Sequence, residues 1–124
     1  MVQNWGKKIS EELLKNERQY KKSQDGVKII ELYKNKSYSF TYGELGPKEE
    51  NKLHKMAMEE VYYIIQGKGI MVIEEEELAV KKGDVIIIKP NCKQKIRNCG
   101  RRKLAFYMIV NPPYESQKEE ILEE

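Results

Sequence analysis

The sequence predicts an all-β domain: a barrel or sandwich of short strands with a helical segment at each end. Three observations predict it. From Val27 onward apolar residues recur with period two. Turn signals such as Asp25-Gly26, Gly46-Pro47, Gly83-Asp84 and Pro112-Pro113 recur at short intervals. Val61 to Ile65, Val85 to Ile88 and Leu104 to Val110 are apolar on both faces. One face can fill an interior, and the other must be covered by a second sheet or a second subunit. A chain of 124 residues allows one domain.

Taken in order, residues 1–26 read as an N-terminal helical extension. Ser10 caps it, Glu11 and Glu12 follow where the helix dipole favours acids, and Lys21 and Lys22 close it. Ile9, Leu13 and Tyr20 give it a thin apolar stripe, and Trp5, just before it, is read as packing on the barrel or on a partner subunit. The barrel is expected over 27–114, with nine strands: Val27–Tyr33, Ser37–Leu45, Leu53–Met56, Val61–Ile65, Gly69–Ile73, Leu78–Val80, Asp84–Ile88, Gln94–Arg97 and Lys103–Val110. Glu74 to Glu77 reads as a solvated hairpin turn. Residues 115–124 read as a C-terminal helical tail, with Ser116 and Glu119 as a capping box and Ile121 and Leu122 as its anchor.

Composition removes whole classes of function. Nineteen Lys and four Arg face eighteen Glu and two Asp, a net charge of +3 that is too small and too mixed to argue for nucleic acid. This Lys/Glu bias resembles that of heat-adapted proteins. No apolar run is long enough for a membrane span, and the N-terminus lacks the pattern of a signal peptide, so the expected compartment is the cytoplasm. With one histidine, a mechanism that needs two or three imidazoles from one chain is excluded. Cys92 and Cys99 read as reduced thiols, with a bridge between them left open.

From Gly46 the chain resembles the cupin superfamily of jelly-roll barrels. The first motif of that family runs Gly, H-x-H, Glu, Gly; here it reads Gly46, Leu53-His54-Lys55-Met56, Glu60 and, after six residues, Gly67. The stretch EEVYYIIQGKGIMVI is very close to the family pattern. The second motif is GDVIIIKPNCKQKIRN, with Gly83, Asp84, Pro90, Asn91, Gln94 and Asn98 at its marked positions. The resemblance spans Tyr38 to about Tyr114 and implies a cupin barrel that commonly pairs as a homodimer.

It also implies a metal set of two His, a Glu and a third His. Position by position these are His54, Met56, Glu60 and Gln94. A thioether and an amide replace two imidazoles, so the implied divalent transition metal has only a weak site, His54, Glu60 and Gln94. Cys92 could join His54 and Glu60 if it shared the inward face with Gln94. The expected function is small-molecule binding, of a sugar or sugar phosphate, with an eroded metal site. The alternative is a cupin enzyme using His54 and Glu60, either a metal-dependent isomerase or dioxygenase or a metal-free isomerase or epimerase; in the metal-free form His54 and Glu60 could move a proton, with His54 as base and Tyr62 or Tyr107 as acid.

The expected lining is His54, Met56, Glu60, Tyr62, Gln94 and Tyr107, with Ile64 inward from Glu60 by twos. Two choices stay open: whether Tyr38, Phe40 and Tyr42 face in, and whether Phe106 with Met108 or Ala105 with Tyr107 do. Arg101-Arg102-Lys103 is a solvated loop, or an anion anchor if it lies at the barrel mouth.

Overall fold

Period-two patterning is realised as eleven strands in two antiparallel sheets. The computed structural model describes residues 5–10, 13 and 19–124. The strands are β1 (Lys21–Lys22), β2 (Lys28–Lys34), β3 (Ser39–Leu45), β4 (His54–Met56), β5 (Glu59–Gln66), β6 (Lys68–Ile73), β7 (Glu76–Lys81), β8 (Val85–Ile88), β9 (Gln94–Asn98), β10 (Leu104–Asn111) and β11 (Glu119–Ile121). One sheet has the order β1-β2-β3-β10-β5-β8 and the other β11-β4-β9-β6-β7. The arrangement is a jelly roll, as the sequence predicts.

The nine expected strands are all present, and two more lie where the sequence predicts helices. Ser10 and Leu13 are helical, but Glu11, Glu12 and 14–18 fall outside the described residues. Lys21 and Lys22 do not close a helix: they pair with Ile29 and Lys28 across the Asp25-Gly26 turn, where Gly26 has φ 103°. A hairpin turn of this composition brings two strands together. At the other end Ser116–Lys118 forms one 3-10 turn with no side-chain cap, and Glu119 is already extended (φ −110°, ψ 134°). A ten-residue helix anchored by two apolar residues would be marginal in water. The segment instead pairs in register along the free edge of β4, with Glu119 opposite Met56 and Ile121 opposite His54, and the Leu122 amide donates to the Leu53 carbonyl at 2.8 Å.

The core divides into an inner and an outer part. Tyr62, Ile64, Met71, Ile88, Ile96, Leu104 and Phe106 fill the space between the sheets. Counting by two from Glu60 therefore gives the right inward face of β5. On β10 Phe106 and Met108 face in, while Ala105 and Tyr107 join Ile30, Leu32 and Tyr42 on the outer side of the six-stranded sheet. Phe40 also lies there, 5.1 Å from the Tyr107 ring. The tyrosine-rich face of β3 thus points out of the barrel. Its inward face carries Gly43, where a Cβ would come within 2.7 Å of Met108 and 2.8 Å of Phe106. No side chain fits there, so the bulky residues of β3 take the other face.

Ile9, Leu13 and Tyr20 pack on this outer core, but Trp5 is 91% exposed and does not pack on the barrel. The outer face of β5 and β8 is uncovered: Val85 and Ile87 are 61% and 62% exposed, beside Tyr63. Gly67 (φ 85°), Gly83 (φ 96°) and Asn91 (φ 66°) take the left-handed conformations that the two motifs suggest. Asn98 pins the 98–102 loop by donating to the carbonyls of Leu45 and Arg102. No helix among the described residues is long and apolar enough to cross a membrane.

Candidate functional site

The inward ends of β4, β5 and β9 bring together four of the expected residues. His54 lies directly opposite Gln94 on the neighbouring strand, rather than across the barrel from it. Met56 follows His54 on the same face, and Glu60 opens the inward row of β5. All four side chains are buried.

Two acids that local reading assigns to a turn and a cap complete the group. Asp25 Oδ2 lies 3.4 Å from His54 Nε2, and Glu119 Oε2 lies 3.7 Å from it. One donor atom from each of the three residues falls within 4.8 Å of the others. His54 Nδ1 stands 2.8 Å from the Lys52 carbonyl. A carbonyl only accepts, so Nδ1 carries a proton and Nε2 is the atom turned to the two carboxylates.

Both acids are held from behind. Tyr114 and Gln24 donate to Glu119 Oε1 at 2.7 and 2.8 Å, leaving Oε2 to face the imidazole. Asn51 donates to Asp25 Oδ2 at 3.1 Å, and the Ser23 hydroxyl donates to Oδ1. Asn51 itself receives the Ile96 amide at 2.7 Å, which ties the Asp25 turn to β9.

Glu60 is the unusual group. It is 3% exposed, and its Oε1 has no hydrogen-bond partner. Burial pushes its pKa up from the ordinary 4.5 to about 8; the Gln94 amide opposes that rise, and the charges of Asp25 and Glu119 add to it. Tyr62 is driven well above its usual 10, first by burial and then by Glu60, so it keeps its proton.

A cavity of about 80 Å³ opens beside this group. Asp25, Glu60, Tyr114 and Glu119 form its polar side, Val27, Ile29, Met108 and Val110 its apolar side, and among the described residues Lys21 is the one basic side chain on its wall. Of the expected lining, Met56 and Glu60 border it directly, while His54 meets it through Asp25 and Glu119. Tyr62 and Gln94 are buried but do not line it, and Tyr107 lies on the outer face of the sheet.

Cys92 is not part of the cluster. It packs on the inner core, and both thiols are free, so no Cys92–Cys99 bridge is present. Arg101 and Arg102 are exposed and absent from the cavity wall, and Lys103 pairs with Glu44 on the outer side at 3.2 Å. The metal set carried over from the family is incomplete here, because Met56 and Gln94 are poor donors for a divalent ion. The carboxylates of Asp25 and Glu119 are the good donors beside His54.

Two antiparallel sheets in jelly-roll order, with a cavity walled by buried acids between them, define a domain of the double-stranded β-helix class. The Cupin domain family matches residues 41–110, and the chain belongs to it. It is 37% identical to an uncharacterised protein of Methanocaldococcus jannaschii, over 82% of this chain and 86% of that one. It is 31% identical to an oxalate-binding protein of Thermotoga maritima, over 64% of this chain and 67% of the other. In fold it resembles a double-stranded β-helix protein of Klebsiella pneumoniae, with a TM-score of 0.74 at 15% identity, over 98% of this chain and all of that one.

Proposed function

We propose that this cupin binds a small hydroxyl-rich molecule by one end, in the cavity beside Glu60. The observation that carries the reading is the pocket itself, in which buried acids face an apolar wall. Carboxylates accept hydrogen bonds from hydroxyl groups, and the opposite wall suits the apolar side of a sugar ring. The phosphate of a sugar phosphate would meet Asp25, Glu60 and Glu119 with, among the described residues, Lys21 alone to balance it. A neutral sugar is therefore favoured over a sugar phosphate. For the same reason a bare dianion such as oxalate, which one relative is named for binding, is disfavoured in the unaided pocket.

The test is a ligand screen in the presence of chelator, with glucose, glucose 6-phosphate and oxalate as probes. Shifts of the Glu60 and Tyr114 resonances with glucose, and none with the two anions, are the expected result. Preference for either anion, or no response to any probe, would reject the reading.

Glu60 favours one second reading, that of a metal-free isomerase or epimerase. With a pKa of about 8 the carboxyl holds its proton at neutral pH, as a general acid must, and Asp25, backed by His54, is a base on the same wall. Solvent deuterium would then enter the bound sugar, and Glu60→Gln would stop it. Tyr62 has no part in this scheme, since it does not reach the cavity wall.

The uncovered apolar face of β5 and β8 supports a homodimer, and the highly charged composition of the chain supports a cytoplasmic setting. Sedimentation of the purified protein, compared with an Ile87→Glu variant, tests the pairing: a dimer that turns monomeric on substitution is expected.

A further inference from the structure

We propose that Asp25, His54 and Glu119, with Glu60 beside them, form a divalent-cation site suited to Zn²⁺ or Co²⁺, assembled largely from residues outside the two cupin motifs. The inference deepens the reading of the same cavity as a binding site.

The donor geometry comes first. His54 Nδ1 donates to the Lys52 carbonyl at 2.8 Å, so the lone pair of a neutral ring projects from Nε2. It meets Asp25 Oδ2 at 3.4 Å and Glu119 Oε2 at 3.7 Å. With the ring neutral, three acceptors converge on one point, and a positive centre there, a proton on Nε2 or a metal ion, satisfies all three. With metal–ligand bonds of about 2.0–2.1 Å, the donor atoms of a tetrahedral site stand about 3.3–3.4 Å apart. The two separations lie at or slightly above that edge.

The orientation of the donors is fixed independently of any ion. Tyr114 and Gln24 occupy Glu119 Oε1, Asn51 holds Asp25 Oδ2, and the Lys52 carbonyl sets the ring of His54. Outer partners of this kind orient the ligands in metal proteins.

Glu60 gives a second and separate observation. Its Oε1 is buried without any partner, on the same cavity wall as Asp25 and Glu119. Buried polar atoms are rarely left so, and one that is calls for an explanation such as an ion. The carboxylates of Asp25 and Glu119 around one imidazole also leave an excess of negative charge that a dication balances. The donor set is imidazole and carboxylate with no thiolate, which fits borderline divalent ions rather than Cu(I).

Register explains how the chain can lose two histidines and keep a site. Glu119 stands opposite Met56, so β11 delivers a carboxylate next to the position where an imidazole is missing.

The experiment is a metal titration of chelator-treated protein with Co²⁺ alone, followed by visible absorption, and with Zn²⁺ alone by calorimetry. One ion per chain is expected, with the intense visible band of four-coordinate Co²⁺. Glu119→Gln keeps the shape of the side chain and the Tyr114 bond, and should weaken binding by more than about 100-fold; Tyr114→Phe, which removes only an outer partner, should weaken it about 10–100-fold. Glu120→Gln, on the same strand but paired with Lys55, should change nothing. A melting curve without metal establishes that each variant folds. Absence of saturable binding, equal binding by Glu119→Gln, or a near-ultraviolet thiolate band that assigns Cys92 as a ligand would each overturn the proposal. No sugar is present in this titration and no metal in the ligand screen, so each reading fails on its own.

Discussion

The barrel interior around Phe106 and the interior around Glu60 are built on opposite principles. Near Phe106 the packing is apolar: the Tyr62 ring lies tilted against it at 5.1 Å, and Ile64, Met71, Ile96 and Leu104 belong to the same cluster. Near Glu60 the side chains are Asp25, His54, Gln94 and Glu119, equally buried but charged or polar. Burial alone therefore does not distinguish core from site. What distinguishes them is whether the buried groups satisfy one another. The dry region is complete in itself, and the polar region leaves one oxygen of the Glu60 carboxyl without a partner.

Substitutions can break or sharpen that contrast. The largest effect is expected in the dry region. Phe106→Ala empties a fully buried ring site and should cost about 3–5 kcal/mol in denaturant unfolding. A loss under about 1 kcal/mol would mean that the interior is not close-packed there.

Glu60 should give the next effect, and its sign depends on pH. Its folded pKa of about 8 exceeds the ordinary 4.5, so in metal-free protein the native state holds a proton that the unfolded chain releases across that window. Its influence on stability is neutral below about 4.5, turns unfavourable as pH rises, and is fully felt above about 8. Across that window the native state loses up to about 1.4 kcal/mol for each pH unit climbed. Glu60→Gln should remove much of this slope and make the variant the more stable protein at pH 8. Parallel stability–pH curves for the two proteins would contradict it.

His54→Ala should weaken ligand or metal binding while changing stability by less than about 1 kcal/mol, because it also relieves two carboxylates facing one nitrogen lone pair. A fall as large as that for Phe106→Ala would make His54 a plain core residue. The smallest effect is expected at the surface. Lys95 bridges Glu50 and Glu123, and Lys95→Ala should cost about 0.2–1 kcal/mol. Lys95 and the Leu53 amide hold the Glu123 carboxyl below its usual range, so this contribution is present at neutral pH and is lost as acid protonates Glu123. A stability loss that persists unchanged at low pH would assign the effect to packing of the lysine stem.

The strands were legible because alternation is a local signal. The inward face of β5 follows from Glu60 by counting. The inward face of β3 did not follow, because alternation gives two faces without saying which is inside. Tyr38, Phe40 and Tyr42 are the bulkier set, yet they lie outside. Gly43 carried the usable hint, as a strand residue without a side chain where two core residues from β10 arrive. His54, Met56, Glu60 and Gln94 could be named from motif spacing. Asp25 and Glu119 could not, since each had a sufficient local role, one in a turn and one in a capping box. Only the long-range pairing of β11 with β4, and the Asn51 bridge from the Asp25 turn to β9, reveal where their carboxylates go.

The uncovered edge strand β8 has a further consequence, for colloidal behaviour. Val85-Ile86-Ile87-Ile88 is a run of four β-branched residues whose outer backbone groups have no neighbouring strand. Such a run can template intermolecular fibrils. Asp84 on one side and Lys89-Pro90 on the other act as gatekeepers, limiting any added sheet to the length of the run itself. Growth of such a sheet needs one chain to meet another, so any fibril formation should rise with protein concentration.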